Sequence, residues 1–210
     1  MADKVILSYH DALIHESDLQ LLEGRNWLND SLISFWFEHL HHEVYNGISD
    51  YLFISSEVTQ LLKMGDPSEL PLFLDPLNVR ESNLIFFPVN DNSSVVSPGG
   101  SHWSLLVYSK PDNKWFHYDS QRGSNFRDAR SLVQRMNIYL NNDDLPPLQD
   151  AQCTQQDNSY DCGAFVMIYA QKLSDMASKG LDISSCFVQR QEANQIRESI
   201  LALVNSLKVS

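Results

Sequence analysis

The apolar pattern changes its period at Leu84, and that change does most to limit what the chain can become. Leu84-Ile85-Phe86-Phe87-Pro88-Val89 is an apolar run of strand length, ended by the Asn/Asp/Ser/Gly/Pro-rich stretch Asn90 to Gly100. His102 to Tyr108 and Trp115 to Tyr118 then flank Lys110-Pro111-Asp112-Asn113-Lys114, whose residues favour a turn, so the two segments read as a hairpin. A sheet of at least three strands is expected in mid-chain.

Helical patterns lie on both sides of it. Ser17 and Gln20 read as a capping box ahead of Leu19, Leu21 and Leu22. Asn29 can cap a segment whose apolar residues Leu32, Ile33, Phe35, Trp36, Phe37 and Leu40 are too dense for a surface stripe, so that helix should be deeply packed. Ser55 or Ser56 can cap a third, carrying Val58, Leu61 and Leu62, before Gly65, Pro67 and Pro71 break the pattern. Asn125 can cap another, with Ala129, Leu132, Val133, Met136, Tyr139 and Leu140 at helical spacing, closed by Pro146-Pro147. Gly163 to Leu173 and Glu192 to Leu207 supply two more. With no internal repeat or linker, residues 1–210 suit one α+β domain of helices around a central, mostly antiparallel sheet.

Composition excludes several functions. A formal charge of -12 argues against a nucleic-acid partner, because phosphate binding draws on surplus Lys and Arg. No membrane association is expected, since no run of about 18 apolar residues occurs and no apolar leader follows a basic start. An intracellular protein of the cytoplasm or nucleus, not a secreted one, is implied. Cys153, Cys162 and Cys186 are an odd, unpaired set, which fits a reducing compartment and free thiols.

One of these thiols has a chemical context. Cys162 stands where the polar stretch Gln156-Asp157-Asn158-Ser159-Tyr160-Asp161 gives way to an apolar helix, so the helix dipole would favour its thiolate. His102 and Asp119 fall at the start of one hairpin strand and the end of its partner, which antiparallel pairing brings side by side. An imidazole beside the thiol activates it, and a carboxylate on the far ring nitrogen fixes the tautomer. Gln156 could reach over the same helix terminus and, with the Cys162 backbone N–H, donate to an oxyanion. Taken singly, Cys162 could be an inert buried cysteine, His102 a strand histidine and Asp119 a turn carboxylate. Cys153 and Cys186 have no comparable helix start.

Other clusters carry less. His39, His41 and His42 stand together, but only His39 and His42 share a helix face, and the second histidine of a zinc-protease helix motif is missing, so a solvated helix end is the expectation. No cysteine pair suits a zinc site and no glycine-rich phosphate loop occurs, so neither metal nor cofactor is expected.

The order His, Asp, Gln, Cys resembles the Ulp and sentrin-specific protease family. Its contexts here are His102-Trp103, Tyr118-Asp119-Ser120 and Gln156 to Gly163. Leu7-Ser8-Tyr9, Ser17-Asp18, Leu21-Leu22 and Trp27-Leu28-Asn29-Asp30 look like the branch that handles the Nedd/Rub-type modifier. The resemblance implies a papain-like fold with Cys162 as nucleophile, His102 as general base and acid, Asp119 as orienting carboxylate and Gln156 as oxyanion donor. It also implies a tunnel for a Gly-Gly tail walled by Trp103 with Trp27, Asn29 and Asp30, a closing loop over Asp91 to Gly100, and action on the modifier and its conjugates; a monomer is expected. Glycine alone lacks the Cβ that would strike such indoles. The competing expectations are a SUMO- or ubiquitin-directed isopeptidase of the same fold, an acetyltransferase using the same residue order, and a non-catalytic modifier-binding module.

Overall fold

The computed structural model describes residues 3–48, 50–94, 97, 99–140 and 145–208. A hairpin of β1 (Val5–Tyr9) and β2 (Ala12–His15) opens the chain, followed by α1 (Glu16–Leu22) and α2 (Asp30–His39), which runs on as a π-helical turn over Leu40–Val44. Next come β3 (Tyr51–Phe53), α3 (Ser56–Met64), the short α4 (Leu70–Leu74), and then β4 (Leu84–Asn90), β5 (Trp103–Ser109) and β6 (Lys114–Tyr118). The remainder is α5 (Phe126–Leu140), β7 (Leu148–Asp150), β8 (Gln152–Cys153), α6 (Cys162–Ser178), β9 (Ser185–Cys186) and α7 (Glu192–Leu207).

The central sheet has five strands in the order β3-β4-β5-β6-β7. Its middle pairings, β4 with β5 and β5 with β6, are antiparallel as the sequence leads one to expect. Its outer pairings, β3 with β4 and β6 with β7, are parallel, so the sheet is mixed. The reason is the connections: α3 and α4 lie between β3 and β4, and α5 between β6 and β7, and a parallel pair needs such a crossover.

Every residue of β4 is buried, and its side chains alternate between two cores. Leu84 and Phe86 join Leu105, Val107, Phe116 and Tyr118 under α2, α6 and α7. Ile85, Phe87 and Val89 join Leu106, Tyr108 and Trp115 under α3, α4 and α5. A strand covered on both faces reads as a continuous apolar run, which is what Leu84 to Val89 shows. Each fully buried phenylalanine here contributes about 1.5–3 kcal/mol relative to exposure.

Helix starts follow the capping logic with two differences. Asn29 Oδ1 accepts from the Leu32 amide at 3.2 Å and Ser55 Oγ from the Val58 amide at 3.3 Å. At α1, however, the reciprocal carboxylate is Asp18, which accepts from the His15 amide at 2.7 Å, so the helix begins ahead of Ser17. At α5, Asn125 starts the helix through its carbonyl, which accepts from Ala129, while its side chain points elsewhere.

Candidate active site

The β5–β6 pairing sets the first half of the site. Leu105 lies opposite Tyr118, so His102, just before β5, and Asp119, just after β6, meet at the same end of the hairpin. His102 is 4% exposed and Asp119 2%. His102 Nε2 lies 2.6 Å from Asp119 Oδ1. A carboxylate accepts, so Nε2 carries the hydrogen, and Nδ1, buried and without a full hydrogen bond, is the nitrogen left for the thiol. Burial works against a charge on the ring, but the bond to Asp119 and the interaction with Cys162 outweigh it and push the His102 pKa up to about 9. For Asp119 burial likewise opposes charge, and His102 with the Gln121 amide at 3.0 Å and the Asn125 amide at 3.2 Å holds it below the ordinary carboxyl value. The neighbouring His117 is turned away, bonded to Ser104 Oγ at 2.9 Å, and burial lowers its pKa.

The second half is the start of α6. Cys162 is its first residue, 2% exposed. Asp161 occupies the N-cap position, yet its carboxylate caps nothing: it accepts from Arg197 at 2.9 Å and from Asn158 at 2.8 Å. The opening amides of α6 are thereby left without a side-chain acceptor, where a developing anion would find them. Gly163 lets this helix approach the segment before α2, since a Cβ there would sit 3.1 Å from Leu28 Cβ.

Gln156 belongs to the first half by its bonds. Its amide nitrogen donates to the Ser120 carbonyl at 2.8 Å, and its Oε1 accepts from Ser120 Oγ at 2.7 Å. Nε2 donates one hydrogen to the Asn158 carbonyl at 2.6 Å, which leaves its second hydrogen for a ligand.

A cleft of about 620 Å³ opens beside these groups, and Trp27, Asn29, Asp30, His102, Trp103 and Cys162 all line it. Asp119 sits behind His102, and Gln156 is not part of the wall. Trp27 is 49% exposed, whereas the Trp103 indole is fixed by donating to the Leu28 carbonyl at 3.1 Å. Asn29 spends its side chain internally, capping α2 and donating to Asp18 at 2.7 Å. A family model described as the C-terminal catalytic domain of the Ulp1 protease family matches residues 75–202.

The chain belongs to the Ulp1 protease family. It is 41% identical over 175 residues to sentrin-specific protease 8 of Rattus norvegicus, across 81% of this chain and 80% of the relative. It is 36% identical over 214 residues to NEDD8-specific protease 1 of Arabidopsis thaliana, across 98% of this chain and 94% of that one. In fold it matches the C-terminal Ulp1 protease domain solved in complex with Smt3, the yeast ortholog of SUMO. That match has a TM-score of 0.73 at 19% identity, over 100% of this chain and 90% of the other. The α+β fold is therefore Ulp-type and the protein is a cysteine peptidase of this family.

Three residues around the Ulp1-family site escaped the sequence reading. Asn125 Nδ2 donates to the carbonyls of Val89 at 3.0 Å and His102 at 3.1 Å, joining the end of β4 to the imidazole's own backbone. Arg197, 3% exposed on α7, donates to the carbonyls of Leu21, Asn26 and Tyr160 as well as to Asp161. Lys63, 4% exposed on α3, reaches the carbonyls of Asn90 and Asn92 and the carboxylate of Asp128. With Gln60, which donates to the carbonyls of Asn92 and Ser94, it anchors one end of the segment expected to close. The other end is held by Asp91, whose Oδ1 accepts from the amides of Ser101 at 2.6 Å and His102 at 3.1 Å. Gly100 is required there: φ is +90°, and a Cβ would fall 1.8 Å from Asn90 Oδ1. Positions 95, 96 and 98 of that segment lie outside the described residues.

Proposed function

We propose that this peptidase matures a Nedd/Rub-type ubiquitin-like modifier by cutting after its Gly-Gly and releases the same modifier from conjugated lysines. The observation that carries the chemistry is the 2.6 Å bond between His102 and Asp119, set beside Cys162 at the mouth of the cleft. The Cys162 thiolate attacks the carbonyl carbon of the terminal glycine, and the oxyanion is met by the Cys162 N–H and Gln156. His102 gives its proton to the departing amine, leaving a thioester. It then takes a proton from water as water attacks, and the thiolate is regenerated with the modifier's carboxylate. Asp119 stays ionised and holds the ring.

The modifier's tail is read by Trp103 and Trp27 with Asp30, while Asn29, bonded to Asp18 and the Leu32 amide, holds their segment in place. The indole fixed on Leu28 narrows the approach so that glycine passes and a side chain does not. Preference for the Nedd/Rub modifier rests on similarity to NEDD8-specific protease 1 over nearly the whole chain. We place the enzyme as one domain over residues 1–210, acting as a monomer in the cytoplasm or nucleus. No helix among the described residues is long and apolar enough to cross a membrane. The test is kcat/KM on C-terminally extended Nedd8, SUMO and ubiquitin measured side by side. Nedd8 is expected to be processed much faster than the other two, and a comparable value on SUMO would refute the assignment.

A further inference from the structure

At the end of α2 away from Asn29, three side chains from two elements converge. His10 stands in the β1–β2 turn with φ 49°, Glu38 lies near the end of α2, and His42 follows one turn later in the π-helical extension. One ligand atom from each can be chosen so that all three lie within 4.8 Å of one another. We propose that His10, Glu38 and His42 bind a divalent transition-metal ion of the zinc class, which staples the N-terminal hairpin to α2.

Two imidazoles and a carboxylate are a donor set suited to zinc and its neighbours and a poor one for magnesium or calcium, which take oxygen ligands. An independent sign is Glu38 itself, whose Oε2 is buried with no hydrogen-bond partner although His42 Nε2 lies 3.2 Å away. A cation there would relieve a buried carboxylate oxygen short of partners. The His10 and His42 rings are stacked, with centroids 3.7 Å apart and planes 12° from parallel. Lone pairs of parallel rings do not converge, so binding turns the exposed His10 ring out of the stack while Glu38 and His42 keep their places. His39 lies against Trp36, and His41 is engaged by the Tyr51 backbone, so neither is needed. A zinc-protease helix takes both histidines from one helix, and here the second imidazole comes from the hairpin turn, a pairing that sequence periodicity does not reveal. Three protein ligands leave one position to water. The ten-residue helix puts this site roughly 15 Å from the Asn29 end, clear of the thiol chemistry.

The test is calorimetric titration of the full chain carrying Cys162→Ala, which removes the competing active-site thiol, with zinc chloride and separately with magnesium chloride. One equivalent of zinc is expected, with no comparable magnesium binding. His10→Asn in that background, at an exposed position where asparagine accepts positive φ, is expected to weaken zinc binding on the order of tenfold or more, and Glu38→Gln likewise. His41→Ala is expected to leave it unchanged. Zinc affinity indifferent to His10→Asn, no zinc binding in the parent, or magnesium bound as tightly as zinc would each overturn the proposal.

Discussion

The imidazole half and the thiol half of the cleft are held by different kinds of bond. His102 and Asp119 stand at one end of a hairpin, and the Asp119 carboxylate and the His102 amide are bonded by residues near in the chain: Gln121, Asn125 and Asp91. Cys162 stands at a helix start whose approach is fixed by Arg197, and Arg197 gathers carbonyls from Leu21 and Asn26 at the other end of the sequence. The first half is therefore secured by strand register, and the second by one buried cation spanning the chain. Loss of one bond in the first half should impair chemistry while the fold survives. Loss of Arg197 should loosen the fold and the thiol's setting together.

The largest effect belongs to the thiol. Cys162→Ala is expected to abolish turnover of a modifier–fluorophore substrate while binding persists, and Cys153→Ala and Cys186→Ala to retain near-parental rates. Burial pushes the Cys153 thiol up and the Cys186 thiol up to about 12, so iodoacetamide should label Cys162 ahead of both, as peptide mass mapping would show. Asp119→Asn comes next, with kcat expected to fall by about 10⁴-fold in a protein whose melting temperature stays close to the parent's, because an amide can hold the ring in the wrong tautomer. Gln156→Ala should lower kcat by about 10²- to 10³-fold with a smaller change in KM, and a change confined to KM would remove its oxyanion role.

The smallest kinetic effect but the largest loss of stability is expected for Arg197→Met. It leaves Asp161 buried without its partner, which costs about 3–5 kcal/mol in denaturant unfolding. Unchanged stability would show that the thiol half does not rest on that cation, and the contrast between the halves would fail.

The same contrast explains how much could be read from the sequence. The β4 run, the β5–β6 hairpin and α7 at Glu192–Leu207 were legible because their apolar periods extend over five or more residues. The β1–β2 hairpin was missed because its strands are short and mostly part-exposed, with no apolar stripe. β3, β7, β8 and β9, at two or three residues each, are too short to show a period. Within the site, His102, Asp119 and Cys162 came out of hairpin pairing and a helix start, both local signals. Arg197 and Lys63 left no trace, since their partners lie as far as 176 residues away and nothing near them in the chain marks the bond. Asn125 was legible as a helix start but not as the tie between Val89 and His102, because a cap residue's usual bond is local and this one is not.

Whether the two halves work as one unit is tested most directly by the titration of the His102 ring, followed by NMR in the free enzyme. Its pKa is raised from 6.5 to about 9, so the charged ring's contribution to stability is full below 6.5 and is lost as pH rises through about 9. Turnover should decline over the same alkaline range, as the ring loses the proton it gives to the leaving amine. The account predicts a His102 midpoint near 9 in the parent that moves down in Cys162→Ala and also in Asp119→Asn. A midpoint near 6.5 in the parent, unmoved by Cys162→Ala, would contradict it.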